Sequence, residues 1–292
     1  MVVLAVLAAA CGSDDLGPED RHGIGPVDGG TLAAPGAPSN VSVVVDDSGG
    51  VEVRWEVSTS TTEGTVASGR DHTCAVLADG RLACWGFDGN GKLGNGADGD
   101  SSVPVAVGLA EGERAVSVSA GFFHSCAVLT DGGVRCWGGG GGRLGNGADG
   151  GSSVPVAVGL AEGERAVSVS AGIENSCAVL TDGGVRCWGG NRLGQLGNGA
   201  DGDSSVPVAV GLAEGEQAVS VSAGSEHSCA VLADGGVRCW GGGFGGRLGN
   251  GADGDSSVPV AVGLAEGERA VSVSAGSGHS CAVLTDGGVR CW

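Results

Sequence analysis

Residues 126–137 read CAVLTDGGVRCW, and nearly the same stretch stands at 74–85 (CAVLADGRLACW), 177–188, 229–240 and 281–292. Two short apolar runs rich in Val flank an Asp-Gly turn, the pattern of a β-hairpin. Every copy holds two cysteines ten positions apart with Trp next. The pairs are Cys74 with Cys84, Cys126 with Cys136, Cys177 with Cys187, Cys229 with Cys239, and Cys281 with Cys291, followed by Trp85, Trp137, Trp188, Trp240 and Trp292. Successive copies begin 52, 51, 52 and 52 residues apart. Self-similarity at this period marks a repeat architecture, in which each unit is one supersecondary element that needs its neighbours to bury a core.

The segments between the copies repeat as well. Gly94 to Gly121 reads GNGADGDSSVPVAVGLAEGERAVSVSAG, and its counterparts from Gly145, Gly197 and Gly249 differ only at Gly151 and Gln217. Each period therefore offers four short strands: VPVAV, AVSVSA, SCAVL and GVRCW. No window shows helical spacing. Four strands in about fifty residues, separated by Gly and Asp turns, is the content of one propeller blade. An all-β propeller follows, with four full blades and a partial fifth over residues 64–292.

Composition agrees with turns rather than disorder. Glycine supplies 62 of 292 residues, without a Gly-X-Y period, while 41% of residues are apolar. The formal net charge is -19, from 34 acidic against 15 basic residues. Such a surface repels a phosphate backbone, so nucleic acid is excluded as a partner.

A more specific resemblance lies in the hairpin and the loop that follows it. Phe123-His124-Ser125-Cys126 through Asp131-Gly132-Gly133-Val134-Arg135-Cys136-Trp137-Gly138 is similar to repeats of the regulator of chromosome condensation family. Asn191-Arg192-Leu193-Gly194-Gln195-Leu196-Gly197-Asn198-Gly199 matches that family's Gly-Gln-Leu-Gly signature, and the other repeats keep Arg- or Lys-Leu-Gly-Asn-Gly. The resemblance implies a seven-bladed propeller, so the present blades form an incomplete ring or an open arc. It also implies guanine-nucleotide exchange on a small GTPase, the namesake's activity; an exported, acidic and internally symmetric chain sets that partner aside. At fold level the chain resembles secreted bacterial β-lactamase inhibitor proteins built from the same repeat.

The amino terminus divides differently. Residues 1–10, MVVLAVLAAA, are apolar, too short to span a bilayer, and end in small residues before Cys11. This resembles a bacterial lipoprotein signal, which makes Cys11 the lipidated residue and the chain an exported envelope or secreted protein. Residues 12–36, rich in Gly, Asp and Pro, read as a flexible linker. Residues 37–63 alternate as two strands around Ser48-Gly49-Gly50 and resemble the opening of a fibronectin type III domain, with Trp55 on the second strand.

Several constellations invite chemistry. Pairing Leu77 with Arg81 across a three-residue loop, Ala78-Asp79-Gly80, sets Cys74 opposite Cys84 at disulfide distance. An exported chain favours five such bridges, with buried free thiols as the competing reading. His72, His124, His227 and His279 precede a cysteine by two positions and share its strand face, so a His/Cys/Cys set could present three ligands to zinc. Asn175 breaks that series while Cys177 and Cys187 persist, and the simpler role is satisfying backbone groups at a blade corner. Asp98 with Asp100, Asp201 with Asp203 and Asp253 with Asp255 could offer oxygens to calcium, but no terminal Glu follows and Gly151 removes one carboxylate. Solvated turn residues are the plainer reading, and no metal or other cofactor is expected. Every Ser, His and Asp sits at a repeated position, whereas catalysis needs an asymmetric nucleophile, base and orienting group. No enzyme is expected.

Variation concentrates before the first Cys and after the Trp of each repeat. Loops on a rigid scaffold are where recognition is built. Phe87, Asp88, Phe122, Phe123, Ile173, Glu174, Asn191, Arg192, Glu226 and Phe244 are therefore the candidate partner-binding residues. The function expected is a non-catalytic exported scaffold that recognises a protein partner through variable loops on one propeller rim. Carbohydrate or cell-wall binding is the alternative, weakened by 3% aromatic content with no Tyr.

Overall fold

The computed structural model describes the strands Asn40–Val45 and Val51–Glu56 and residues 65–292. Two compact units divide at Gly64 and Thr65. In the first, strands β1 (Asn40–Val45) and β2 (Val51–Glu56) pair antiparallel with Val43 opposite Val53. Cys11, the apolar run before it and the 12–36 linker lie outside the described residues.

The second unit is built of five antiparallel sheets. Strands β3 (Val66–Ser68), β4 (His72–Val76), β5 (Leu82–Gly86) and β6 (Ser101–Ala106) form the first in simple up-and-down order. The second holds Ala115–Ala120, His124–Leu129, Val134–Gly138 and Ser152–Ala157. The third and fourth repeat this plan over 166–209 and 218–261, and the fifth has three strands, Ala270–Ala275, Ser280–Leu284 and Val289–Cys291. These are the blades of a propeller. A blade thus starts at the AVSVSA strand and ends at the SSVPVA strand of the next period, so the near-identical 28-residue segment straddles two blades.

Local chemistry explains the order of strands. The AVSVSA strands of neighbouring sheets approach one another and lie innermost, leaving SSVPVA at each outer edge. Pro155 lacks an N–H and is tolerated only at an edge or bulge, and the register of its strand against Val134–Gly138 slips between Ser152 and Val156. Each central hairpin closes through the three-residue loop: Leu77 N donates to Arg81 O at 2.7 Å and Gly80, at φ 78°, donates to Leu77 O. That register places Cys74 against Cys84 and repeats in the other four sheets, where Cys126 faces Cys136, Cys177 faces Cys187, Cys229 faces Cys239 and Cys281 faces Cys291.

The core lies between blades. Cys74, Leu82, Cys84 and Leu93 of the first blade pack on Ala127, Leu129 and Trp137 of the second, and equivalent clusters fill the next three junctions. In the second, third and fourth blades the SCAVL strand is buried along its whole length, because a neighbour covers both faces. In the first and fifth it is buried only at alternate residues.

Candidate functional site

Backbone geometry brings the two variable segments of each repeat together. Phe87 N donates to Asp71 O, Gly139 N to Phe123 O, Gly190 N to Glu174 O and Gly242 N to Glu226 O, all at 2.7–2.8 Å. In the first four repeats the residue before the His, or before Asn175 in the third, and the residue after the Trp-Gly therefore share one rim. The other end of the sheets carries the Asp-Gly hairpin turns and AEGER loops, nearly invariant, where Glu113, Glu164, Glu216 and Glu268 pair with Arg135, Arg186, Arg238 and Arg290.

The ten cysteines of the repeats form five disulfides between facing residues ten apart: Cys74 to Cys84, Cys126 to Cys136, Cys177 to Cys187, Cys229 to Cys239, and Cys281 to Cys291. In the first four blades both partners are fully buried, so Cys187 and Cys239 are junction core and offer nothing to a partner at the surface. Bridging also removes the thiolates a zinc site needs.

The histidines serve the blade junctions instead. Nε2 of His72, His124 and His227 meets Oγ of Ser125, Ser176 and Ser280, in each case on the following blade, at 2.6–2.7 Å. Asn175 replaces His without loss, donating Nδ2 to Ser228 Oγ at 2.9 Å. The expectation that these histidines satisfy backbone groups is corrected: their partner is a side chain across the junction. Ser176 and Ser280 spend their own hydrogens on the carbonyls of Arg143 and Arg247 at 3.2 Å, so the facing His must donate through Nε2–H. Nδ1 is left a bare acceptor, buried without a partner in all three. Burial, reinforced by Arg143, pushes His124 down to about 3; burial with Lys92 and with Arg247 pushes His72 and His227 down to about 4.

Each following Trp locks the same junction. Trp137, Trp188 and Trp240 donate Nε1–H to the carbonyls of Lys92, Arg143 and Gln195 on the preceding blade, each at 2.8 Å. The indole lies on a glycine at positive φ: a Cβ at Gly145 (φ +65°) would come within 2.8 Å of Trp188 Cδ1. The second aspartates of the Asp-Gly-Asp loops are not merely solvated. Oδ1 of Asp100, Asp203 and Asp255 accepts from the backbone N of Asp88, Asn191 and Gly243 at 2.7–2.9 Å, capping the post-Trp loop. Where Gly151 lacks that carboxylate, Gly141 N turns to Asp149 O.

The rim candidates separate into two groups. Asp88 and Asn191, expected to face a partner, are only 5% and 1% exposed and cap Leu93 N and Leu196 N from within their loops. The others reach the surface, with Phe244 at 79% and Phe87 at 48% exposure. Phe122 and Phe123 stack with centroids 4.4 Å apart at a tilt of 59°. Cations lie against these rings: Arg70 over Phe122 at 4.2 Å, Arg143 over Phe123 at 5.0 Å, and the buried Lys92 against the nearby Phe87 at 4.8 Å. Blades one and two thus present an aromatic and cationic patch. Between blades three and four the rim opens into a cleft of about 360 Å³, lined among others by Ile173, Glu174, Arg192, Gln195 and Glu226.

Sequence reading missed the residue preceding each Leu-Gly-Asn-Gly: Lys92, Arg143, Gln195 and Arg247. Its signal was the lone neutral residue in a cationic series. Lys92 bridges Asp71 Oδ2 and Phe122 O, Arg143 pairs with Glu174, and Arg247 bridges Glu226 Oε2 and Ser277 O.

The family model described as Regulator of chromosome condensation (RCC1) repeat matches residues 79–128, 182–231 and 234–283. A second model with the same description matches 65–92, 115–142, 166–195 and 218–247. The chain is 35% identical over 224 residues to the Ultraviolet-B receptor UVR8 of Arabidopsis thaliana, covering 76% of this chain and 51% of that protein. Among solved structures, human WBSCR16 superposes with a TM-score of 0.70 at 23% identity, over 80% of this chain and 61% of that one. Yeast RCC1 (Prp20), solved bound to Kap60, gives 0.68 at 22%, over 82% and 58%. The chain therefore spans about half the length of its curated relative and about three fifths of these solved chains.

Proposed function

The chain belongs to the regulator of chromosome condensation (RCC1) repeat family, and we propose that it is an exported, non-catalytic scaffold that binds a protein partner through one propeller rim. The observation that carries this reading is the convergence of both variable segments of each of the first four repeats on a single rim, opposite a nearly invariant one. Rigid β-sheets hold those loops, and the exposed Phe87 and Phe244 with the half-buried Phe122 and Phe123 are aromatic anchors of the kind that dominate interface energetics. A protein partner also suits the scaffold, since yeast RCC1 (Prp20) is bound to Kap60 in its structure.

Five disulfides support export, because such bonds persist in oxidising compartments. Membrane attachment through Cys11 belongs to the same proposal. The non-catalytic reading is supported by the commitment of His72, His124 and His227 to junction bonds and of the ten repeat cysteines to disulfides. The relatives give no ground for setting a small GTPase aside, so nucleotide release is kept as an arm of the test.

In that test the immobilised full chain and its F87A/F122A/F123A variant are presented to envelope extract. Proteins enriched by the wild type are expected to fall at least tenfold with the variant, matching loss of aromatic anchors. Equal capture by both would refute rim recognition. Hits on a glycan array, or accelerated nucleotide release from a small GTPase, would replace the proposal with the corresponding alternative.

A further inference from the structure

The fold contains an internal template for what the cleft between blades three and four would hold. In the first blade the Lys92 ammonium, 2% exposed, lies between the carboxylate before the blade's His, Asp71, and a carbonyl of the next blade, Phe122 O, at 3.3 and 3.5 Å. In the fourth, Arg247 spans Glu226 Oε2 at 2.9 Å and Ser277 O at 3.3 Å. The same two positions at the third junction are Glu174 and Ser225, and both line the cleft. Gln195, which stands where the cation should be, is too short and turns away: its Oε1 accepts from Leu193 N at 2.8 Å. Ser225 O accepts no hydrogen bond among the described residues.

Gln195 also places a donor in the cleft. It is 4% exposed and lines the cleft, yet its Nε2 has no partner among the described residues. The orientation of the amide follows from Leu193 N, which needs the oxygen end. A free donor therefore faces the same space as the free carbonyl. Glu226 and Asp203 add carboxylates to the wall, while Arg192 is exposed, without an ion pair among the described residues, and supplies the like charge there. Arg143 and Arg247 hold Glu174 and Glu226 from outside the cleft.

We infer that this cleft is a docking site for a lysine or arginine side chain of the protein partner, which takes the position that Lys92 and Arg247 occupy in their own blades. The inserted cation bonds Glu174 and Ser225 O, and Gln195 Nε2–H meets the main-chain carbonyl of the inserted residue. The net charge of -19 steers a basic segment toward this surface. This rests on the rim-binding reading and names the chemistry it recognises.

The experiment uses N-acetyl-lysinamide as probe, titrated into the ¹⁵N-labelled full chain, with N-acetyl-norleucinamide and N-acetyl-glutamate amide as controls. The side-chain amide signals of Gln195, assigned by their loss in Q195K, are expected to shift saturably with the lysine probe alone. E174Q should weaken the probe about tenfold, as for a lost charged hydrogen bond. In Q195K, where the titration is read from the backbone amide signals of Leu193 and Ser225 (followed in the parent as well), binding should be abolished while the chain stays folded, because the substitution rebuilds the arrangement of the first blade. R192A should strengthen binding by removing the like charge. An unchanged titration in Q195K, no response to the lysine probe, or a preference for the glutamate probe would each overturn the inference. None of these readouts involves the partner or the Phe patch, so a failure here with aromatic-dependent capture intact would sink the cleft alone.

Discussion

Acid should loosen the blade junctions through three histidines, and the chain carries its own control in Asn175. His72, His124 and His227 are buried with Nε2–H bonded to a serine and Nδ1 unpartnered, so a second proton would be a buried cation with nothing to receive it. Folding lowers their pKa from 6.5 to about 4, about 3 and about 4. A group depressed in this way contributes its full stability above the unfolded value. That contribution is lost as pH falls through 6.5 toward 4, since the unfolded chain binds the proton first. At pH 5 an unfolded imidazole is mostly charged, which costs the fold about 2 kcal/mol per histidine, or about 6 kcal/mol for three as an upper bound.

The perturbation is His124→Asn, which copies the Asn175–Ser228 bond at a neighbouring junction. At pH 7.5 the variant should lose about 1 kcal/mol or less, the range of a neutral hydrogen bond exchanged for another. Between pH 7.5 and 5 it should be about 2 kcal/mol less acid-sensitive than the parent, and H72N/H124N/H227N should flatten the profile further. Urea unfolding followed by Trp fluorescence at both pH values, with bridges intact, gives the comparison. Identical pH dependence in parent and triple variant would refute the assigned tautomer and the cost of the bare Nδ1.

Two further outcomes test the packing. Gly145→Ala should lower stability by about 2–4 kcal/mol in the same urea assay, combining the strain of a positive φ with a Cβ at 2.8 Å from Trp188 Cδ1; a change below about 0.5 kcal/mol would show that the indole does not rest there. Alkylation of the denatured, unreduced chain followed by mass spectrometry should leave all ten repeat cysteines unmodified, and label on any of them, Cys187 and Cys239 included, would open the corresponding bridge. Replacing Cys126 and Cys136 together by Ala should then cost somewhat under about 3 kcal/mol, since the loop closed is short.

Much of the blade was legible because hairpin geometry is local. The loop Ala78-Asp79-Gly80 follows from Gly at positive φ, and it sets Cys74 against Cys84 whatever surrounds them. Asp88 and Asn191 misled because a polar residue in a variable loop looks the same whether it faces water or turns inward to cap Leu93 or Leu196. The histidines misled for a related reason: their serine partners lie about 52 residues away, one whole period, and nothing near them in the chain identifies the bond.

What the sequence determined by itself was the repeating unit, its strands, its hairpin register and the rim on which variation collects. All of these depend on contacts within about a dozen residues and on a period that can be counted. Only the tertiary structure decided where a blade starts, since a repeat has no intrinsic first strand and the cut falls where an edge strand finds no further ladder. It alone also decided that Lys92, Arg143 and Arg247 are junction cations and that Gln195 leaves their position open. Those assignments depend on which carboxylate and which carbonyl a neighbouring blade brings within reach, and that proximity exists only once the blades have packed.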